Sequence, residues 1–476
     1  MITVQIAGAG AGKTYGLASK IADRLISSDK NKSVYALTYT NSARDKISSE
    51  LKKLDFNSRV KIDTVHSFLL NDIIFPYSSY VLGDKYRAVS LEALPSEPRY
   101  KNSRVRNLKD NGVIHIDNVY KVAKQILDST NSRNTLKHSK VKVAYVGNIL
   151  KELVCSIFID EVQDLDEDCL KVFHILGSLG VYIYMIGDPK QAIKYPDAFV
   201  NYIKEHNKEG GDVIFETINN ITRRVPSSSL GMSNLLCYPE QQQTNHENKE
   251  GSVHYIYNDT PQFSTLIEKA LSNNKLVIIN KKNDFYDTNK EKEHVFPHKL
   301  ACILEEGPKR KNRDPKIYVK SIYIDLIDRI KSNKSATSKA AVNYIVGLHD
   351  LAALLNAYKA FGLFYEFAEK CTTSGGSDKY LVRSIEAVKG LDSNVVFFIL
   401  NDSFYYYFDV DNVSKSKRYN KEWKKLYVAL TRSNDKLIFI LDKRMLSQEI
   451  LKKYEEYFTR KNVSIIENGN TCLEWL

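Results

Sequence analysis

No C-x-x-C pair occurs in this chain of 476 residues, and its six cysteines, at 155, 169, 237, 302, 371 and 472, stand apart from any histidine cluster at metal-ligand spacing. That removes zinc-ribbon and thiol-redox motifs and leaves reduced thiols serving as small buried hydrophobes. Equally missing is an apolar run long enough to span a bilayer. The chain opens on the strand-like ITVQIA without the basic, apolar and small-residue segments of a secretory signal, so a cytoplasmic protein is the expectation. No repeat recurs at solenoid periods. The length exceeds what one hydrophobic core usually serves, which predicts two large domains or two with insertions.

What is present leans towards a polyanionic partner. The formal net charge is +12 and the sequence pI near 9.0, a global bias that attracts nucleic acid without identifying it. Thirty tyrosines add faces on which unpaired bases stack, although most of them fill cores and surfaces.

Along the chain, ITVQIA is followed by a glycine-rich turn, a helical TYGLASKIADRLISS and the strand SVYALTYT, the β-loop-α-β opening of a parallel sheet covered by helices. Polar, basic sequence from about 69 to 140 interrupts the rhythm and reads as a mostly helical insertion. Strands return at CSIFID and VYIYMIGD, each delivering acidic residues to the end where open α/β sheets gather their sites. After about residue 222 a polar stretch, SSSLGMSNLLCYPEQQQTNHENKEG, precedes strands at SVHYIYN and KLVIINKK. A charged helical region with the loop GPKRKNRDPK then leads to the strands NVVFFIL and KLIFILD.

Ala7-Gly8-Ala9-Gly10-Ala11-Gly12-Lys13-Thr14 lies between a strand and a helix and matches G-x-x-x-x-G-K-[ST], with Ala at its first position. Small residues let backbone N–H groups wrap phosphates, Lys13 reaches the β/γ oxygens, and the Thr14 hydroxyl is placed for magnesium. The acidic partner is IFIDEVQD, where Asp160 is expected in the magnesium shell and Glu161 as the group that orients and deprotonates water. An acidic pair after a strand is commonly a solvated edge or a helix cap; the P-loop reverses that reading.

Seven motifs occur in order: AGAGAGKT, LTYTNSARDKI, TVHSF, FIDEVQD, IGDPKQAI, VRSIEAVKGLD and YVALTR. Together they resemble the superfamily-one helicases of the UvrD, Rep and PcrA group. The resemblance implies an α/β protein with two RecA-like P-loop NTPase domains and short, mostly helical insertions. The first domain (1A) would comprise 1–68 and 141–222, with a 1B-like insertion at 69–140. The second (2A) would comprise 223–284 and 376–476, around a reduced 2B-like insertion at 285–375. It further implies ATP and Mg2+ as cofactors, Gln191 as the γ-phosphate sensor, and Arg224 and Arg432 as arginine fingers. Gly390 and Asp392 would join the nucleotide and strand sites. Single-stranded DNA would pass over Tyr39, Asn41, Thr64 and His66, a sequence-indifferent set of aromatic, hydroxyl and amide groups.

Several positions depart from that family. The upstream glutamine segment that reads adenine is expected to be missing. Arg223 replaces an adenine-stacking aromatic, Tyr195 stands for a base-stacking Trp, and Glu386 replaces a histidine. Chain length and short insertions resemble the short UvrD-like proteins of Gabija antiphage systems, and that resemblance implies an OLD-family Toprim nuclease as partner; separately, this chain carries no nuclease constellation. Two readings stand at this point. One is an ATP-dependent 3′–5′ helicase or translocase on single-stranded DNA. The other is a nucleic-acid-sensing regulatory ATPase subunit that switches a partner nuclease without processive unwinding.

Overall fold

The computed structural model describes the chain apart from residues 28, 30, 55–59, 96, 131–136, 209, 247, 289–295, 311–314, 333–336, 374–378 and 409–417. The side chains at 27, 41, 42, 137, 138, 298, 299, 310, 316, 331, 370, 372 and 373 are likewise outside the description. The described residues form two compact units, 1–280 with 384–476, and 281–383.

The larger unit is built on two six-stranded sheets. The first contains β1 (Ile2–Ile6), β2 (Ser33–Thr38), β3 (Val60–Thr64), β4 (Val154–Ile159), β5 (Tyr182–Gly187) and β6 (Val213–Phe215), in the spatial order β3-β2-β4-β5-β1-β6. Every pairing in it is parallel. The second contains β7 (Ser252–Tyr257), β8 (Leu276–Ile279), β9 (Arg383–Ser384), β10 (Ser393–Ile399), β11 (Ser433–Leu441) and β12 (Ser464–Ile465), in the order β9-β8-β10-β11-β7-β12. Parallel strands covered on both faces must be apolar throughout rather than alternating. Val395 through Ile399 accordingly read as an uninterrupted apolar run with every side chain buried.

Five helices position the site: α1 (Lys13–Ser27), α2 (Asn41–Lys53), α3 (Glu167–Ser178), α4 (Ala198–His206) and α5 (Lys421–Leu430). Thr40, Asp166 and Asn420 cap α2, α3 and α5, accepting from the backbone N–H groups of Ala43, Cys169 and Trp423, the bond a helix start most needs. Helix α5 is buried from Trp423 to Leu430, lysines 424 and 425 included, because it lies between the sheets.

The segment 69–140 is helical in the main, with a π-helical turn at Leu69–Ile74 and helices at Phe75–Leu82, Pro98–Asp110 and Val119–Leu127. It also contains a small parallel ribbon, Ala88–Ser90 against Val113–His115. Leu69, Ile73, Val119 and Ile126 belong to the same apolar cluster as Ile157, Phe173 and Ile183 of the first sheet and its helices, so the inserted helices complete that core. The unit 281–383 has its own core, in which Tyr318, Ile322 and Leu326 of the helix Pro315–Ser332 meet Val342, Ile345 and Phe364.

Candidate nucleotide site

Because the first sheet is parallel, the ends of β1, β2, β4 and β5 converge on one edge, the place where open α/β sheets bind ligands. Each strand there releases one motif. The turn after β1 carries positive φ at Gly10 (+72°) and Gly12 (+76°), a region that only glycine enters without strain. A Cβ on Gly10 would lie 2.5 Å from Thr222 Oγ1 and 2.6 Å from the Arg224 Cβ. Ala7 is tolerated at the motif's first position because the chain there is still extended: its N–H donates to Gly187 O at 3.0 Å, and it bridges Asn219 in parallel.

Lys13 Nζ rests on Gly8 O at 3.4 Å, and the Thr14 hydroxyl donates to Asp160 Oδ2 at 3.2 Å. Asp160 is 2% exposed. Burial, then the neighbouring Glu161 charge, push its carboxyl upward against the pull of Lys13. Burial alone would also raise Glu161, but Lys13, Lys389, the Gln163 hydrogen bond and Arg432 hold it below the usual carboxylate range. Glu161 therefore stays charged, the state a proton acceptor needs. It adopts φ +54°, unusual for a residue with a Cβ, and Gln163 Nε2 donates to its Oε2. Backbone held in this sparsely populated region marks a position that the surroundings over-determine.

The second sheet supplies the facing wall. Arg432 is 1% exposed, and its Nη2 donates to Gln191 Oε1 at 3.2 Å while Gln191 Nε2 donates to Asp188 Oδ2 at 2.9 Å. Burial, then the charge of Arg224, depress the Arg432 guanidinium. Burial likewise lowers Arg224, whose Nε is enclosed without a hydrogen-bond partner. Two desolvated guanidinium groups beside each other with one orphaned donor form an environment completed by an anion. The cavity between the walls has a volume of about 1130 Å³, and Lys13, Thr14, Glu161, Arg224, Lys389 and Asp392 all line it. Gly390, at φ +79°, offers its carbonyl to Lys46 Nζ at 3.0 Å, and Asp392 accepts from Asn434 Nδ2 at 2.8 Å. Glu386 does not stand as a free repelling charge: Lys425 Nζ lies 3.0 Å from its Oε1.

Three connections escaped the sequence reading. Gln243, inside the stretch read as polar connection, is 3% exposed; its Nε2 donates to Ala9 O at 3.0 Å and its Oε1 accepts from Tyr427 OH at 2.7 Å. Tyr427 OH also lies 3.3 Å from Asp188 Oδ2 and accepts weakly from Ala9 N at 3.4 Å. Lys389 forms an ion pair with Asp164 and donates to Gln191 O at 2.8 Å. Only Tyr427 and Lys389 carried a signal, as members of YVALTR and AVKGLD; nothing in QQQ singles out Gln243.

Of the strand-contact candidates, Tyr39 and His66 meet edge to face at 5.9 Å, and His66 stacks on Tyr120 at 4.7 Å. Lys194 stands 4.9 Å from the Tyr39 ring and 5.1 Å from that of Tyr195, giving an aromatic and cationic ledge. Burial, then Lys194, bring His66 down to about 4, so near neutrality it offers a ring rather than a charge. The Thr64 hydroxyl accepts from Ser67 N at 3.2 Å and donates to Ser67 Oγ at 2.9 Å, capping the short helix after β3. The Asn41 side chain lies outside the described residues. Arg223 stands exposed at the cavity rim, its N–H on Gly10 O at 3.0 Å.

Fold and site together place a P-loop and an acidic pair at the ends of a parallel sheet, facing a second parallel sheet across a cavity. Residues 1–196 match the family described as an AAA domain. Over 503 aligned residues, 95% of this chain and 93% of the relative, the sequence is 24% identical to Gabija protein GajB of Bacillus cereus (strain VD045). The resemblance to Gabija proteins drawn from chain length and short insertions is borne out by that match. Among solved structures, the complex of arterivirus nonstructural protein 10 (helicase) with DNA aligns with 95% of this chain at 12% identity and a TM-score of 0.35; the chain spans 63% of that protein. No helix among the described residues is long and apolar enough to cross a membrane.

Proposed function

We propose that this chain is a UvrD-like motor of antiphage defence that hydrolyses ATP in the cavity and moves 3′ to 5′ on single-stranded DNA in the cytoplasm. The observation that carries the reading is the cross-lobe contact of Arg432 with Gln191, beside Arg224 and opposite Lys13 and Glu161. In it, Lys13 and the backbone N–H groups of the P-loop bind the phosphates. Glu161 aligns the attacking water and takes its proton, Gln191 senses the γ-phosphate, and Arg224 and Arg432 stabilise the charge that develops on the transferring group. The fit for a divalent cation is the Thr14 hydroxyl set against the buried Asp160 carboxylate; Mg2+ held there would neutralise phosphate charge. Gly390 and Asp392 link the nucleotide to the strand ledge of Tyr39, His66 and Tyr195, so opening and closing of the lobes moves the strand.

A second reading, a regulatory ATPase subunit that switches an OLD-family Toprim nuclease of the GajA kind, is favoured by the use of Thr64 as a cap, which thins the grip on a strand. ATP hydrolysis with and without single-stranded DNA, followed by unwinding of a tailed duplex, separates the two. Stimulated hydrolysis with unwinding, both lost in Lys13→Ala and Glu161→Gln, supports the motor. Stimulation without unwinding supports the regulatory subunit. No hydrolysis under any condition refutes both.

A further inference from the structure

At the opposite edge of the first sheet from the P-loop, three side chains distant in sequence converge. His174 lies in α3, His206 ends α4, and Asp212 immediately precedes β6. Their nearest nitrogen and oxygen atoms all fall within 4.8 Å of one another. His174 Nε2 is 3.2 Å from Asp212 Oδ2, and His206 Nδ1 is 3.8 Å from Asp212 Oδ1. The imidazole rings stack at 4.3 Å and 29°, and each turns one nitrogen to the same carboxylate. The histidine side chains are 12% and 17% exposed, against 57% for Asp212, so the carboxylate closes a partly sheltered pair of rings from the solvent side.

From this geometry we infer a binding site for a divalent transition ion, Zn2+ by ligand preference, held by His174 Nε2, His206 Nδ1 and the Asp212 carboxylate, with water completing the shell. A tetrahedral ion with bonds of about 2.0–2.1 Å separates its ligands by roughly 3.3 Å. The two His–Asp separations of 3.2 and 3.8 Å lie within about 0.5 Å of that, an adjustment the exposed Asp212 can make by rotation, and the histidine nitrogens, within 4.8 Å of each other, close further on binding. His174 Nδ1 lies 3.2 Å from Tyr202 OH, a tyrosine only 6% exposed. Such an outer partner fixes ring orientation and tautomer, while His206 Nε2 has only the longer, 4.0 Å approach of Glu205 Oε2. Two borderline nitrogens and one carboxylate match zinc better than magnesium or calcium, which take oxygen shells.

The ion would tie α3 and the end of α4 to the start of β6. That strand pairs with β1, and Asn219 just beyond it donates its Nδ2 to Ala11 O in the P-loop, so occupancy braces the strand that carries the nucleotide turn. The test titrates chelator-treated full-length chain, without nucleotide, with ZnCl2 by calorimetry, using His206→Gln and Asp212→Asn, with Cys302→Ser as a control for the exposed thiol. The inference requires one Zn2+ per chain, a rise in unfolding temperature on its addition, and affinity lowered about tenfold or more in both ligand variants. Tyr202→Phe, which frees the His174 ring, should weaken binding less, and Cys302→Ser should leave it unchanged. Absence of binding, or equal affinity in the parent and the ligand variants, overturns it. Should the ligand variants fail to fold, Co2+ added to the parent decides: tetrahedral visible bands support the site, and their absence refutes it.

Discussion

Replacing Tyr427 with Phe removes one oxygen and no packing volume of consequence, yet that oxygen joins three parts of the nucleotide wall. Its single proton goes to Gln243 Oε1 at 2.7 Å with Asp188 Oδ2 as a longer, secondary acceptor at 3.3 Å, so its loss leaves Gln243 Oε1 without a donor, weakens the surroundings of the Asp188 carboxylate only slightly, and strips Ala9 N of its 3.4 Å acceptor. Orphaning one buried polar atom costs about 1–3 kcal/mol, and a bond to a charged group is worth about 1.5–3. Asp188 keeps Lys190 and Gln191 as partners and the Ala9 contact is long, so the expected total is about 2–4 kcal/mol. Tyr454→Phe is the matched control, because its hydroxyl makes a single 2.8 Å bond to Asn401 O, worth about 1 kcal/mol. Urea unfolding of the two variants measures the difference directly. Titration with ATP should also show affinity reduced about tenfold for Tyr427→Phe, roughly 1.4 kcal/mol, and unchanged for Tyr454→Phe, because only Tyr427 supports the P-loop backbone through Ala9 and Gln243. Equal destabilisation by the two substitutions would refute the claim that this hydroxyl organises the turn.

Two further expectations concern the buried lysines. Lys389→Met leaves Asp164 as a buried charge without its partner, at a cost of about 3–5 kcal/mol; adding Asp164→Asn should restore most of the loss in an unfolding titration, and a simple sum of the two single effects would contradict the pairing. Lys424, 1% exposed with its ammonium on Pro196 O, is brought by burial to about 8, from an ordinary 10.5. Between those values the unfolded chain holds a proton that the folded chain has released, so this group makes stability rise with pH from about 8 to 10.5. From pH 7.5 to 9.5 its contribution is roughly 2 kcal/mol, and Lys424→Met should flatten the stability–pH curve by that amount; parallel curves for the parent and the variant would count against it.

The P-loop, the acidic pair and the central strands were legible because their cause is local. Glycines that must adopt positive φ, a lysine and hydroxyl at the head of a helix, and apolar runs in strands covered on both faces leave their mark on consecutive residues. Even the alanine at position 7 makes sense locally, since the chain there is still extended just past β1. The polar run ending in QQQ was read as connection, although Gln243 is buried against the P-loop. Its polarity is satisfied by Ala9 and Tyr427, which lie 234 and 184 residues away in sequence. Likewise, the helices between 69 and 140 looked separable, because a helical pattern shows which face is apolar without showing whose core it enters.

By itself the chain determined its two sheets, its glycine-rich turn and the acidic pair at the end of a central strand. Tertiary structure alone decided how charge is distributed among them. Asp160 and Glu161 are adjacent carboxylates of nearly identical chemistry, yet burial and mutual repulsion push one up, while Lys13, Lys389 and Arg432, brought in from three other motifs, hold the other down. The same is true of His174, His206 and Asp212, whose meeting depends on α3, α4 and the start of β6 packing at one edge. Local conformation is dictated by neighbours in sequence; proton affinity and ligand geometry are dictated by neighbours in space.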